Sequence, residues 1–135
     1  MKNTQVLSLK NLSKRFGSVV ANNSVNIELY RGEVLSLLGE NGAGKTTLMN
    51  MLFGHYLPDS GSIDVLGNDG QMRKLVLGHP QASLDAGIGM VHQHFTLAEN
   101  LTVLDNILLG SEKLWAWRHD RNKARNKILK IIDRT

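Results

Sequence analysis

Residues 39–46 read Gly-Glu-Asn-Gly-Ala-Gly-Lys-Thr, and this stretch decides how the rest of the chain is read. It fits G-x-x-x-x-G-K-[ST], the Walker A pattern, in which each residue type has a physical reason. Glycines at 39, 42 and 44 let the backbone wrap with its N–H groups turned inward, which makes a nest for an anion. A helix that begins at the end of the loop adds its unpaired N–H groups and the positive end of its dipole at the same point. Lys45 carries a mobile cation to the β- and γ-phosphates of a nucleotide, and Thr46 offers a hydroxyl to Mg²⁺. The carboxylate of Glu40 would repel phosphate, so its side chain is expected to point away.

The flanks supply the context that the pattern requires. Glu33 to Leu38 read Glu-Val-Leu-Ser-Leu-Leu, a nearly continuous apolar run that predicts a strand covered on both faces in a parallel sheet. From Lys45 the period becomes helical, with Leu48, Met51 and Leu52 on one face and Gly54 and Pro58 bracketing the end. Upstream, Gln5–Leu9 and Ser24–Leu29 alternate as half-buried strands, the second closed by Arg31-Gly32. Downstream, Pro58-Asp59-Ser60-Gly61 is a turn signal and Ser62–Leu66 a strand. Residues 67–78 are mixed. Ser83–Ala86 reads as a short helix closing at Gly87, and Ile88–His92 as another short buried strand. Thr102 is placed to cap a helix through Val103, Leu104, Ile107 and Leu108 that ends at Gly110. Lys123–Arg134 is amphipathic, its Ile128, Leu129, Ile131 and Ile132 opposed by basic residues. A parallel sheet needs several crossovers and few are visible, so the sequence reads as part of a domain.

Composition narrows the functional classes. The 135 residues give room for one ordinary domain, and 41% hydrophobic with 21% charged residues is a globular balance. The absence of cysteine removes a disulfide scaffold, a cysteine-ligated zinc site and a thiol nucleophile. No apolar run approaches the ~20 residues of a membrane-spanning helix, and the first ten residues lack the apolar stretch of a secretory signal. A soluble, cytoplasmic chain is expected. The formal charge of +4 is uneven: residues 1–112 carry 8 basic and 10 acidic side chains, and residues 113–135 carry 8 and 2. The basic end reads as the solvated face of a helix, and no surface for nucleic acid is expected.

Other nucleotide-site patterns fail residue by residue. Asn122-Lys123-Ala124-Arg125 lacks the aspartate of the guanine-reading N-K-x-D, and Arg118-His119-Asp120 is not the kinase order. Gly87-Ile88-Gly89 begins a dinucleotide fingerprint, but His92 stands where a small residue is needed.

Several ordered motifs together resemble the ATP-binding cassette of ABC transporters over roughly residues 5–112. Lys14-Arg15-Phe16-Gly17 resembles the segment with the base-stacking aromatic, and Leu29 to Thr47 is similar to the Walker A region. Pro58 to Ile63 resembles the turn into the family's β-subdomain. Gly89 to Phe95 resembles the Q-loop, with Gln93 at the family position, and Leu101-Thr102-Val103 to Asn106-Ile107 resembles the start of the helical subdomain. The His-Gln-His-Phe string with Leu-Thr-Val and Asn-Ile is most similar to importers of simple sugars and nucleosides. The resemblance implies an α/β P-loop fold with a mixed or parallel sheet and an antiparallel β-subdomain. Residues 1–95 would form a partial nucleotide-binding core, and residues 96–135 the beginning of the helical subdomain.

It also implies a site for ATP and Mg²⁺. Gly39, Asn41, Gly42, Ala43, Gly44, Lys45, Thr46 and Thr47 would hold the phosphates, Phe16 would stack on the base, and Thr46 and Gln93 would serve the metal. The implied partners are transporter membrane subunits and a second cassette, as a dimer or a tandem repeat, at the cytoplasmic face of the cell membrane. The L-S-G-G-Q signature, a Walker B strand ending in Asp-Glu and a switch histidine do not occur in the sequence. The chain therefore resembles the first portion of a cassette, and no catalytic residue for hydrolysis is assigned within it. Two rival readings remain, a non-transport ABC ATPase acting on nucleic acid and an inactive fragment. His92 and His94 would share one face of a strand, but no third ligand lies near them, so a metal site there is not expected. Trp115 and Trp117 read as packing residues of the helical subdomain.

Overall fold

The computed structural model describes residues 4–91, 97–109 and 121–132. Its element order is β1 (Gln5–Phe16), β2 (Val19–Tyr30), α1 (Lys45–Phe53), β3 (Ser60–Leu66), β4 (Met72–Lys74), α2 (Pro80–Asp85), α3 (Val103–Leu109) and α4 (Arg121–Ile132). The strands form one sheet in the order β2-β1-β3-β4. All three pairings are antiparallel.

The β1–β2 hairpin is longer than the sequence pattern suggests because it absorbs irregularities. Its register slips at several points between Gln5 and Arg15, and Asn11 and Ser24 take left-handed φ values of 51° and 53°. Polar side chains make these breaks tolerable. The Ser24 N–H donates to Ser13 Oγ at 2.8 Å and the Asn11 N–H to Asn26 Oδ1 at 2.9 Å. Backbone groups left unpaired by a bulge thus find local partners.

The core lies where α1 meets the sheet. Leu9 and Leu12 of β1, Ile63 of β3, and Leu48 and Met51 of α1 are buried together. Leu48 and Met51 are three apart, so they share the face turned to the strands. Gly54 ends α1 with φ 90°, and a Cβ there would stand 2.7 Å from the His79 backbone, so only glycine admits α2 this close. Ser83 of α2 is fully buried and donates to the Leu52 carbonyl at 3.1 Å.

Two expected strands are not formed. Residues 33–40 join no strand, and Val34 and Leu38 are each 92% exposed. A strand covered on both faces needs a neighbour on each side, and no described strand runs beside this one. Residues 88–91 are likewise not in a strand, and the expected continuation at His92 lies outside the described residues. No pair among the described strands is parallel.

The chain divides into two compact units, Met1–Val91 and His92–Thr135. In the second, Thr102 caps α3 as expected, its Oγ1 accepting the Asp105 N–H at 3.2 Å. Asn106 ties the preceding loop down: its Oδ1 accepts the Ala98 N–H at 2.9 Å, and its Nδ2 donates to the Ala98 carbonyl at 3.1 Å. Leu108 is buried, whereas Leu129 and Ile131 of α4 are exposed.

Candidate functional site

The loop at 39–46 has the shape its glycines predict. Gly42 and Gly44 adopt φ 84° and 83°, values that L side chains rarely take. Gly44 is also held from outside. A Cβ on it would stand 2.1 Å from the Ala21 carbonyl oxygen, so the loop meets β2 backbone to backbone. The Gly44 carbonyl accepts the Leu48 N–H at 2.9 Å, starting α1, and Asn22 Nδ2 at 3.4 Å. Across the loop, a Cβ on Gly39 would stand 3.3 Å from that of Ala43.

Lys45 folds back over this ring. Its Nζ donates to the Gly39 carbonyl at 2.7 Å and to the Glu40 carbonyl at 2.6 Å. The ammonium therefore stands at the loop with two carbonyl partners that a phosphate can replace by a stronger charge-assisted bond. Thr46 is exposed on the first turn of α1, and no acidic residue occupies that turn to oppose an anion. Asn41, Gly42 and Ala43 are exposed, and Thr47 is half-buried. A cradle closed to any Cβ at Gly44, a lysine over its mouth and a free-standing hydroxyl on the helix start fit the phosphates of a nucleotide and a Mg²⁺ ion.

Phe16 stands at the end of β1, paired with Val19 and 45% exposed. From Val19, β2 runs to Ala21 and Asn22 beside Gly44, about 10 Å at the rise of a strand. One hairpin thus carries the aromatic ring and abuts the loop at Gly44. Phe16 meets Tyr56 edge-on, ring centroids 5.5 Å apart at 75°, and Lys14 Nζ lies 5.6 Å from the Phe16 centroid. Lys14 is itself paired with Asp59 at 2.9 Å, and the Arg15 N–H donates to Asp59 at 2.7 Å. The hydrogen bond from Lys14, then that from Arg15, hold the Asp59 carboxyl below its ordinary 3.8.

The loop residues and Phe16 therefore lie in one unit. Gln93, with His92, His94 and Phe95, lies outside the described residues. Sequence reasoning missed Asn22, Tyr56 and Asp59 as neighbours of the site. Asn22 is buried, and its Oδ1 has no hydrogen-bond partner. Only the turn at Pro58-Asp59-Ser60-Gly61 carried a local signal. The other two are recruited by tertiary contact, which has no spacing rule.

A strand hairpin leading to a glycine-lined loop, with a lysine at its mouth and a helix behind it, defines a domain of the P-loop class. The ABC transporter family model matches residues 22–135, and the chain belongs to that family. It is 46% identical over 129 residues to the guanosine import ATP-binding protein NupO of Bacillus subtilis, covering 96% of this chain and 24% of that protein. It is 40% identical over 134 residues to a ribose import ATP-binding protein of Escherichia coli, covering 99% of this chain and 26% of that one. Among solved structures, a nucleotide-free ATP-binding cassette from an ABC transporter matches with a TM-score of 0.66 at 27% identity, covering 88% of this chain and 48% of that chain. The chain thus spans about a quarter of the length of the curated relatives it matches.

Proposed function

We propose that this chain is the ATP-binding part of an ABC transporter subunit that energises solute import, with simple sugars or nucleosides as the solute class. The observation that carries the reading is the closed loop at 39–46 with Lys45 bonded to the Gly39 and Glu40 carbonyls. Relatives named for guanosine and ribose import support the solute class.

In this reading the loop N–H groups and Lys45 bind the β- and γ-phosphates, and Phe16 takes the base. Asn41, Gly42, Ala43 and Thr47 shape the loop and its helix start. Thr46 and Gln93 hold Mg²⁺, which when bound neutralises charge on the phosphates. The chain carries no catalytic residue for hydrolysis in this reading. The carboxylates that activate water come from sequence outside it, and ATP is enclosed against a second cassette. Membrane subunits supply the path for the solute, and the chain sits at the cytoplasmic face of the membrane. No helix among the described residues is long and apolar enough to cross a membrane.

Titration calorimetry of the chain with Mg-ATP, beside Lys45→Ala, tests the reading. Lys45→Ala should lose affinity by about tenfold or more, the scale of a charge-assisted phosphate contact. Equal affinities in the two proteins would overturn the assignment.

A further inference from the structure

We infer that Tyr56 is a positioning residue for the base: it fixes the ring of Phe16 in the orientation that receives a nucleobase. The inference rests on the reading of Phe16 as the base platform and adds a residue to it.

Phe16 is nearly half exposed at the tip of a hairpin. An aromatic side chain in that position ordinarily samples several rotamers and loses that freedom when it binds. Here two contacts already orient it, the edge-on ring of Tyr56 at 5.5 Å and the Lys14 ammonium at 5.6 Å. Tyr56 is itself held at both ends of a short segment. On one side it follows the Gly54 cap, where the N–H groups of Gly54, His55 and Tyr56 all donate to the Asn50 carbonyl, at 3.1, 2.8 and 3.1 Å. On the other side the Asp59 N–H donates to the Ser13 carbonyl of β1 at 2.9 Å, and its carboxylate binds Lys14 and the Arg15 N–H. The ring of Tyr56 therefore belongs to a bridge between the C-terminal end of α1 and the strand that carries Phe16. The same helix begins at Lys45. One rigid element of nine residues, about 13 Å long, thus sets the phosphate loop at its start and the base platform beyond its end.

The contact is the ring, since no hydrogen bond joins the two side chains, so a phenylalanine should serve as well as tyrosine. The full chain, Phe16→Ala, Tyr56→Ala, Tyr56→Leu, Tyr56→Phe and the double variant Phe16→Ala/Tyr56→Ala are titrated with Mg-ATP and with magnesium pyrophosphate. Circular dichroism reports the fold of each. Tyr56→Ala and Tyr56→Leu should weaken ATP by about three- to tenfold, the range of an edge-to-face pair, and leave pyrophosphate unchanged. Tyr56→Phe should match the parent chain. The double variant should be no weaker than Phe16→Ala, because a positioning residue has nothing left to position. Tyr56→Leu with unchanged ATP affinity, where Phe16→Ala loses it, would overturn the inference. So would an equal loss for pyrophosphate, which would place Tyr56 in support of the loop through α1. If Phe16→Ala has no effect on ATP, the base platform itself is overturned and the inference with it.

Discussion

Ile63 in β3 and Leu38 just ahead of the phosphate loop are both aliphatic residues in apolar stretches, yet Ile63 is fully buried and Leu38 is 92% exposed. The difference is one of partners. Ile63 pairs with Leu9 of β1 and lies in the core that α1 covers with Leu48 and Met51. Leu38 belongs to a segment that joins no strand. The phosphate loop sits between these two conditions. Its C-terminal side continues into α1 and abuts β2 at Gly44, while its N-terminal side leads back into the unpaired segment. The loop shape is therefore carried from its C-terminal side, by the contact of Gly44 with Ala21 and by Lys45, which ties the other side back through the Gly39 and Glu40 carbonyls. A binding loop can be set by a small antiparallel sheet and one helix before the remaining surface around it is closed.

The contrast is most sharply tested by truncating one residue in each region. Met51→Ala removes a fully buried side chain from the α1–sheet contact and should cost about 2–5 kcal/mol. Leu38→Ala should change stability by less than about 0.5 kcal/mol, as for a surface site. Denaturant unfolding of the two variants beside the parent chain measures both. Comparable losses would mean that Leu38 is packed and that the two regions do not differ.

The second effect is intermolecular. Val34, Leu35, Leu37 and Leu38 place exposed aliphatic groups in one short segment, and extended apolar chain without a partner tends to pair with another molecule. The chain should associate as its concentration rises, and Val34→Glu/Leu38→Glu should shift it toward monomer without changing its unfolding midpoint at low concentration. Sedimentation velocity across a dilution series reads the first effect. Undiminished association in the double variant would move the sticky surface elsewhere.

This contrast also explains what was legible in the sequence. The loop was legible because its conformation is local: Gly42 and Gly44 need positive φ, Lys45 must lie at the mouth, and each demand appears as a residue type at a fixed spacing. The start and stop of α1 and the start of α3 were legible for the same reason, through Lys45, Gly54 and Thr102; the expected stop at Gly110 lies outside the described residues. Residues 33–38 misled because an apolar run encodes a tendency to be buried, and its pairing depends on strands that the described residues do not supply. β1 and β2 ran past their predicted ends because the bulges at Asn11 and Ser24 interrupt the alternation while side-chain hydrogen bonds preserve the ladder. Tyr56 and Asn22 were invisible, since each acts through a neighbour more than ten residues away.

The smallest expected effect lies at Asp59, where the well-packed region reaches the strand end that carries Phe16. Its carboxylate accepts from Lys14 at 2.9 Å and from the Arg15 N–H at 2.7 Å. Those two bonds hold its pKa below the ordinary 3.8 in the folded chain. A carboxyl with a depressed folded pKa binds fewer protons folded than unfolded, so its contribution is fully present above 3.8 and is lost as the pH falls through the lower folded value. Asp59 is exposed although Lys14 is half-buried, so the effect is modest and screened by salt. Asp59→Asn keeps an oxygen for the Arg15 N–H and removes only the charge. The thermal midpoint of the parent should exceed that of Asp59→Asn by a constant margin from neutral pH down to about pH 5, and the margin should shrink below about pH 4. A margin that stays flat through the acid range would show that Asp59 works as a turn-forming hydrogen-bond acceptor. Its charge would then add nothing to the bridge that carries Tyr56 to Phe16.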